Sequence, residues 1–531
     1  MNIKNLAPVI LLLFLSSFLF IYGLGGASLF ETDEYIYTQI AKEMVKTGDF
    51  VTLHFMGKPW FIHPPLYMWL TAATGKFFGF SETVARIWCA IFGVIGVVFT
   101  YLLGKELFSR RAGIIAGVIL ATTMQYIIQS RIAVFDPPLV ALMLAAVYFF
   151  HMGRIHEDKK YFLLFFASMA FAVLMKGPVG LVLPLIVIIP YLIFSGEFRL
   201  LFQLNWVKGV LLFLLITSPW YIAEWAIHGK KFMDTMFGFY TFGRFLRPIE
   251  THAGPWYYYF IIIPVGFLPW TAFLPAIIGK LLKDRKERNS LFVILWVLIA
   301  FVFFSVARTK LPGYVLSIYP FLALGLGYLF DSYMSNPRES FNRSWINLSF
   351  ILLLLTSIAL VILPFSLSNM PLVSGYEKLL TGFLPLVLTI GMAGLIASAL
   401  FLFMERKIGT PISILAVSMV AFLVLFVRSA IPSIEEYKPM KPLSESVISR
   451  IKPGEAVIGY KIVYRTGFTY YLGRNVKWAS SPKEVVSYLK SKKRVYCFIP
   501  EDEYDNLKGS IRLISYILDK WSDILLISNK Q

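Results

Sequence analysis

The chain has 531 residues, 57% of them hydrophobic and only 15% charged, with a formal net charge of +19. Soluble domains carry about 25% charged residues, so a water-exposed globule is excluded, and long apolar runs in place of short alternating segments exclude an outer-membrane barrel. The basic residues form short clusters between apolar segments, which suits topology signals and anionic headgroups and argues against nucleic-acid binding. Cys89 and Cys497, the two cysteines, give neither a disulfide framework nor metal-ligand spacing.

The N-terminal run MNIKNLAPVILLLFLSSFLFIYGLGG is too long for the core of a signal peptide and reads as a retained first span. A bilayer is crossed by about 20 apolar residues, and on that length about 13 spans are expected. They fall at 7–25, 85–105, 112–129, 134–152, 161–175, 178–195, 208–226, 257–279, 290–307, 312–330, 345–365, 379–403 and 411–428. The stretch PPLYMWLTAATGKFFGF at 64–80 is short and reads as interfacial or re-entrant. The connections KELFSRRA, GRIHEDKK, GKLLKDRKERN and SNPRESFNR are dense in Lys and Arg, which places them inside with the N-terminus. The two long connections, 26–84 and 227–256, are then outside. From 433 onward, short β-like runs (AVIGYKIVY, RVYCFIP, IRLISYIL, DILLIS) alternate with a helical segment, PKEVVSYLKSKK. The expected fold is a polytopic α-helical membrane protein with a spanning domain over 1–428 and a small extracytoplasmic α/β domain over 429–531.

On this topology the unusual residues share one side. Asp33, Glu34, His63, Asp136, Lys176, Arg244, His252, Lys310 and Tyr314 all map to outer loops or outer helix ends, and ionisable groups there point to a functional site. Each has a plainer reading. Asp33 can cap a surface helix whose inner face is Ile36, Ile40 and Met44; Asp136 can cap the span opened by Pro137 and Pro138; Lys176 can snorkel. Together, a carboxylate cluster with Lys, Arg and Tyr suits a phosphorylated, membrane-borne substrate. A carboxylate can deprotonate an attacking hydroxyl or steady an oxocarbenium-like sugar. No nucleotide pool exists outside the cytoplasm, so a sugar donor there arrives attached to a lipid.

ETDE after the first span, FIHPPLYMWL, Arg131-x4-DPPL, LMKGPVG, RF…HAGPWYYY and TKLPGYVLSIYP occur in the order seen in a known family. The chain resembles the GT-C superfamily of glycosyltransferases, in the bacterial, protein O-mannosyltransferase-like branch that includes the lipid A aminoarabinose transferases. The resemblance covers residues 1–330 best. It implies a GT-C fold and inverting transfer from a polyprenyl (undecaprenyl) phosphate sugar at the outer face of the inner membrane, with lipid A as the leading acceptor. It also implies Asp33 as the catalytic carboxylate with Glu34 beside it, and Asp136 as a further carboxylate. Lys176, Arg244 and Tyr314, with Lys310 and His63, would hold the donor phosphate. His252 stands in the outer loop where relatives can place a metal ligand, so a divalent metal is a possible cofactor. In one place the chain departs from the pattern: the aminoarabinose enzymes resemble F-E-K-P where this chain has Phe61-Ile62-His63-Pro64. That removes one metal ligand and one phosphate cation, and a protonated His63 would replace the cation. The competing readings are transfer to protein or polysaccharide, a flippase for a lipid-linked glycan, and a sensor using its outer tail. A flippase predicts internal repeats and midplane polar residues, and neither is evident.

Overall fold

Each expected span overlaps helix in the computed structural model of the chain. The structure describes residues 3–30, 32–243, 254–367, 377–405, 407–463, 465–507 and 515–531. Helices dominate because in lipid a backbone must satisfy its own N–H and C=O groups. The first ten are α1 (Ile3–Ile21), α2 (Thr32–Thr47), α3 (Leu66–Phe78), α4 (Glu82–Leu107), α5 (Arg110–Ala121), α6 (Met124–Ser130), α7 (Asp136–His156), α8 (Lys159–Lys176), α9 (Val179–Phe194) and α10 (Trp206–His228). Among the described residues, eight helices are long and apolar enough to cross a membrane, or ten if two bent pairs each count as one. The expected number was higher for physical reasons. The helix α9 is short, with 16 residues, and α8 includes Lys159, Lys160 and Lys176. The run at 257–279 is no straight span either: Tyr258–Gly266 and Trp270–Lys283 meet at 114°, and α5 meets α6 at 63°.

The ends of the bundle differ in character. At one end, Glu197 binds Arg154 at 2.9 Å and Arg288 at 2.8 Å, while Asp331 accepts from Ser109 at 2.7 Å and pairs with Arg111 at 3.3 Å. These bonds tie together the Lys/Arg-rich connections. At the other end lie α2, α3 and the C-terminal residues. Short α3 packs against α2 and the start of α4, with Tyr67 donating to the Ala85 carbonyl and Trp88 to that of Leu70. Its tip leaves Phe77 and Phe78 exposed.

The last span runs from Gly409 to Glu435, so the boundary expected at 429 falls inside a helix. Beyond it the chain forms a five-stranded sheet in the order β4-β3-β5-β7-β6, where β3 is Ala456–Tyr460, β4 Lys477–Ala479, β5 Val495–Pro500, β6 Tyr516–Trp521 and β7 Ile524–Ser528. The strands β1 (His54–Phe55) and β2 (Lys58–Pro59) form a separate hairpin. β3 is parallel to β4 and β5; β7 is antiparallel to β5 and β6. The expected helix is Pro482–Leu489, capped by Ser481. This α/β unit shares a hydrophobic core with the first long connection: Leu29, Tyr35, Ile40, Met44 and Tyr67 cluster with Met440, Phe468, Tyr470 and Phe498.

Candidate active site

Asp136 opens α7, and its local sequence leaves the carboxylate available. Pro137 and Pro138 carry no N–H, and Asp136 is the first residue of the helix, the N-cap position being Phe135. Its carboxylate accepts from Lys176 Nζ at 2.6 Å. Lys176 is the last residue of α8, where Gly177 at φ +100° turns the chain out of the helix. The ammonium also lies 5.2 Å from the centre of the Tyr314 ring. Directly beneath, a Cβ on Gly313 would stand 2.9 Å from the Asp136 carboxyl carbon, so glycine is what lets that loop approach. Asp136 and Tyr314 sit on the two most enclosed spans, where 72% and 89% of the apolar windows are buried, against 17% for α10. Rigid supports of this kind hold a site to within fractions of an ångström.

Asp136, Lys176 and Tyr314 line a cavity of 470 Å³ together with His63, Thr309, Ser317 and Tyr240. That volume is in the range of ligand pockets. The remaining walls are apolar: Ile62, Leu139, Val140, Met143, Val179, Val182, Phe303 and Phe304 among them. His63 is 8% exposed and ringed by Tyr37, Trp60 and Phe135.

Other expected residues are placed differently. Asp33 stands half-buried in the first turn of α2, with Ile40 and Met44 buried beneath the helix as its periodicity implied, and it is not among the residues lining the cavity. Glu34 is fully buried and its oxygens are taken up by Arg86 and by the amides of Phe30 and Ala133. Burial pushes the Glu34 carboxyl up, but the Arg86 guanidinium and the two amides outweigh this and hold it below the usual carboxylate value. A carboxylate so engaged has no oxygen left for a substrate, which corrects its expected place beside Asp33 in the chemistry. Lys310 also turns away: its Nζ donates to the carbonyls of Ser305 and Ala307, each at 2.8 Å, at the end of the preceding helix. Burial lowers its pKa, and its neighbour Thr309 lines the cavity in its place. Arg244, Arg247 and His252 lie outside the described residues.

The metal expectation finds little to hold an ion. Ile62, where the resemblance led to an expectation of Glu, is one of the apolar lining residues. Among the described residues no group of three or more His, Cys, Asp or Glu side chains is placed to bind a metal. Sequence reasoning passed over Arg86, Tyr240, Thr309 and Ser317; Arg86, only four residues into a span, looks like an ordinary headgroup anchor.

Residues 62–223 match the family described as dolichyl-phosphate-mannose-protein mannosyltransferase. The chain is 28% identical over 372 residues to an uncharacterized protein of Aquifex aeolicus, covering 69% of this chain and 71% of that one. It is 29% identical over 367 residues to the undecaprenyl phosphate-alpha-4-amino-4-deoxy-L-arabinose arabinosyl transferase of Edwardsiella ictaluri, covering 67% of this chain and 66% of that one. The fold is similar to that of ArnT from Cupriavidus metallidurans bound to undecaprenyl phosphate, with a TM-score of 0.84 at 20% identity over 99% of this chain and 98% of that one. Residues 62–223 thus carry the family match, and the whole chain has a fold similar to that of ArnT. The matches agree on a polyprenyl-phosphate-sugar-dependent glycosyltransferase.

Proposed function

We propose that the chain transfers a sugar, with inversion, from undecaprenyl phosphate to an envelope glycolipid, lipid A being the acceptor, at the outer face of the inner membrane. The observation that carries this reading is the Asp136–Lys176 pair beside Tyr314, placed at a cavity whose other walls are largely apolar. Such a cavity suits an anionic headgroup on an isoprenoid chain. The names of the aminoarabinose relatives, and the undecaprenyl phosphate bound to ArnT of C. metallidurans, support the same donor class.

In the reaction an acceptor oxygen bonds to the anomeric carbon while the bond from that carbon to the phosphate oxygen breaks. The bonding pair leaves with the polyprenyl phosphate. Lys176, the Tyr314 hydroxyl and Arg244 would neutralise the charge growing there, the term that enzymes of this kind depend on most. Asp136 would hold Lys176 in place and keep its charge. A lipid phosphate oxygen is already ionised and needs no base, so Asp33 would then balance positive charge on the sugar; with a hydroxyl acceptor, Asp33 would take the proton. The test is Asp33→Asn with purified lipid-linked sugar. Turnover should be lost while membrane insertion stays normal, and retained turnover would remove Asp33 from the chemistry. Mass spectrometry of envelope lipids with and without the protein identifies sugar and acceptor together; an unchanged lipid A with an altered glycoprotein or polysaccharide would overturn the acceptor.

A further inference from the structure

The C-terminal α/β unit is joined to the helix bearing Asp33 by a run of hydrogen bonds through buried Glu34, Arg86 and Lys438, the Ser28 carbonyl and half-buried Glu435. We propose that this run is a positioning device, in which Glu34, Arg86 and Lys438 fix Asp33 relative to Asp136 and couple both to the C-terminal unit. The proposal rests on the functional reading above only in taking those two carboxylates as the site.

Glu34 is the hub. Its Oε1 accepts from Arg86 Nε at 2.7 Å and from the Ala133 amide at 2.8 Å. Its Oε2 accepts from Arg86 Nη2 at 2.9 Å and from the Phe30 amide at 2.6 Å. The residue next to Asp33 is thereby fastened to the backbone just ahead of Asp136, across two connections far apart in sequence. Arg86 spends its other donors on the carbonyls of Leu24 (3.0 Å), Ala27 (2.8 Å) and Ser28 (2.9 Å). A planar guanidinium with this many fixed partners acts as a jig for the loop after α1.

The Ser28 carbonyl is shared. It also accepts from Lys438 Nζ at 2.7 Å, and Lys438 binds Glu435 Oε1 at 3.0 Å. Glu435 returns to Ser28, accepting from its amide at 3.1 Å and its hydroxyl at 3.0 Å. The backbone carbonyl of Glu435 then accepts from Trp521 at the end of β6 at 3.3 Å. A second tie runs alongside: Lys441 binds Glu82 at 2.6 Å, and the Leu29 amide donates to the Tyr471 hydroxyl at 2.9 Å. Tyr35, two residues past Asp33, packs its ring on Tyr470 and Tyr471. Buried charges this fully paired are weak sources of net stability but strong fixers of geometry. A displacement of about 1 Å at a reacting group is enough to cost about a hundredfold in rate.

Lys438 is the member to test, because it is 7% exposed and is not among the cavity-lining residues. Full-length Lys438→Met and Lys438→Arg proteins would be assayed in lipid nanodiscs with undecaprenyl-phosphate-linked sugar as donor. Binding of undecaprenyl phosphate and hydrogen exchange of the backbone would be measured beside turnover. Expected for Lys438→Met is a fall in kcat of about tenfold or more, with donor KM and carrier affinity within about twofold of the parent. Exchange should rise at 28–35 and 131–136, and Lys438→Arg should restore most of the rate. Unchanged kcat and exchange would overturn the proposal. So would a parallel loss of rate, carrier affinity and thermal stability that arginine fails to rescue, since that marks a merely structural contact. If the parent protein itself transfers no sugar, the functional reading fails, and the exchange measurement still decides the coupling.

Discussion

Asp136 and Lys176 are each about 13–14% exposed, so neither is solvated well enough to stand alone. Replacing one partner of such a pair costs about 2–5 kcal/mol, much of it from the charge left behind. Lys176→Ala is therefore expected to weaken undecaprenyl phosphate binding at least about tenfold, read by titration of the carrier; an unchanged affinity would count against the phosphate contact. Glu34 behaves differently, because its carboxyl is held below the usual carboxylate value. A depressed carboxyl contributes stability that is fully present above its unfolded value of about 4.3 and is lost as pH falls through the folded one. Acidification below about pH 4 should then lower the unfolding temperature of the parent more than that of Glu34→Gln. At neutral pH the variant should be less stable by about 3–5 kcal/mol, since Arg86 loses its buried counter-charge. Equal acid sensitivity of the two proteins would show that Glu34 does not carry this linkage.

At the scale of elements, a glycine decides where Lys176 ends up. Gly177 holds φ +100°, a conformation that a residue with a Cβ adopts only with strain. Gly177→Ala should lose about 1–2 kcal/mol and misdirect Lys176, read as weaker carrier binding than that of a neutral substitution elsewhere on α8. The KGP break was legible in the sequence because glycine and proline interrupt an apolar run. The bends at 122–123 and 267–269 were not, since they lie within runs that hydropathy reads as continuous. The same blindness inflated the span count, because length and apolarity do not reveal where a helix turns. In the C-terminal unit, strands rich in β-branched and aromatic residues stood out. β4, with three residues, and the helix Arg465–Leu472 did not, being set by packing against α2 and the sheet. Asp136, Lys176 and Tyr314 were legible as misfits at span ends, whereas Arg86 was concealed because a cation at a span end is ordinary.

Taken as a whole molecule, the C-terminal unit and the first long connection share one core. Substitutions deep in that unit, such as Phe468→Ala, should lower transfer and thermal stability together, with a loss of about 3–5 kcal/mol for the buried ring. The cavity has a further consequence for turnover. Its walls from Leu139 through Phe304 would grip an isoprenoid tail in the same way before, during and after the sugar departs. Contacts of equal strength in ground and transition states raise occupancy without lowering the barrier, so acceleration must come from the few polar groups at one end. On the proposed function, the spent carrier would keep every tail contact of its loaded form and would compete with the donor in the next cycle. Adding free undecaprenyl phosphate should therefore raise the apparent donor KM without changing kcat, which makes recycling of the carrier a governor of the enzyme's pace in the membrane.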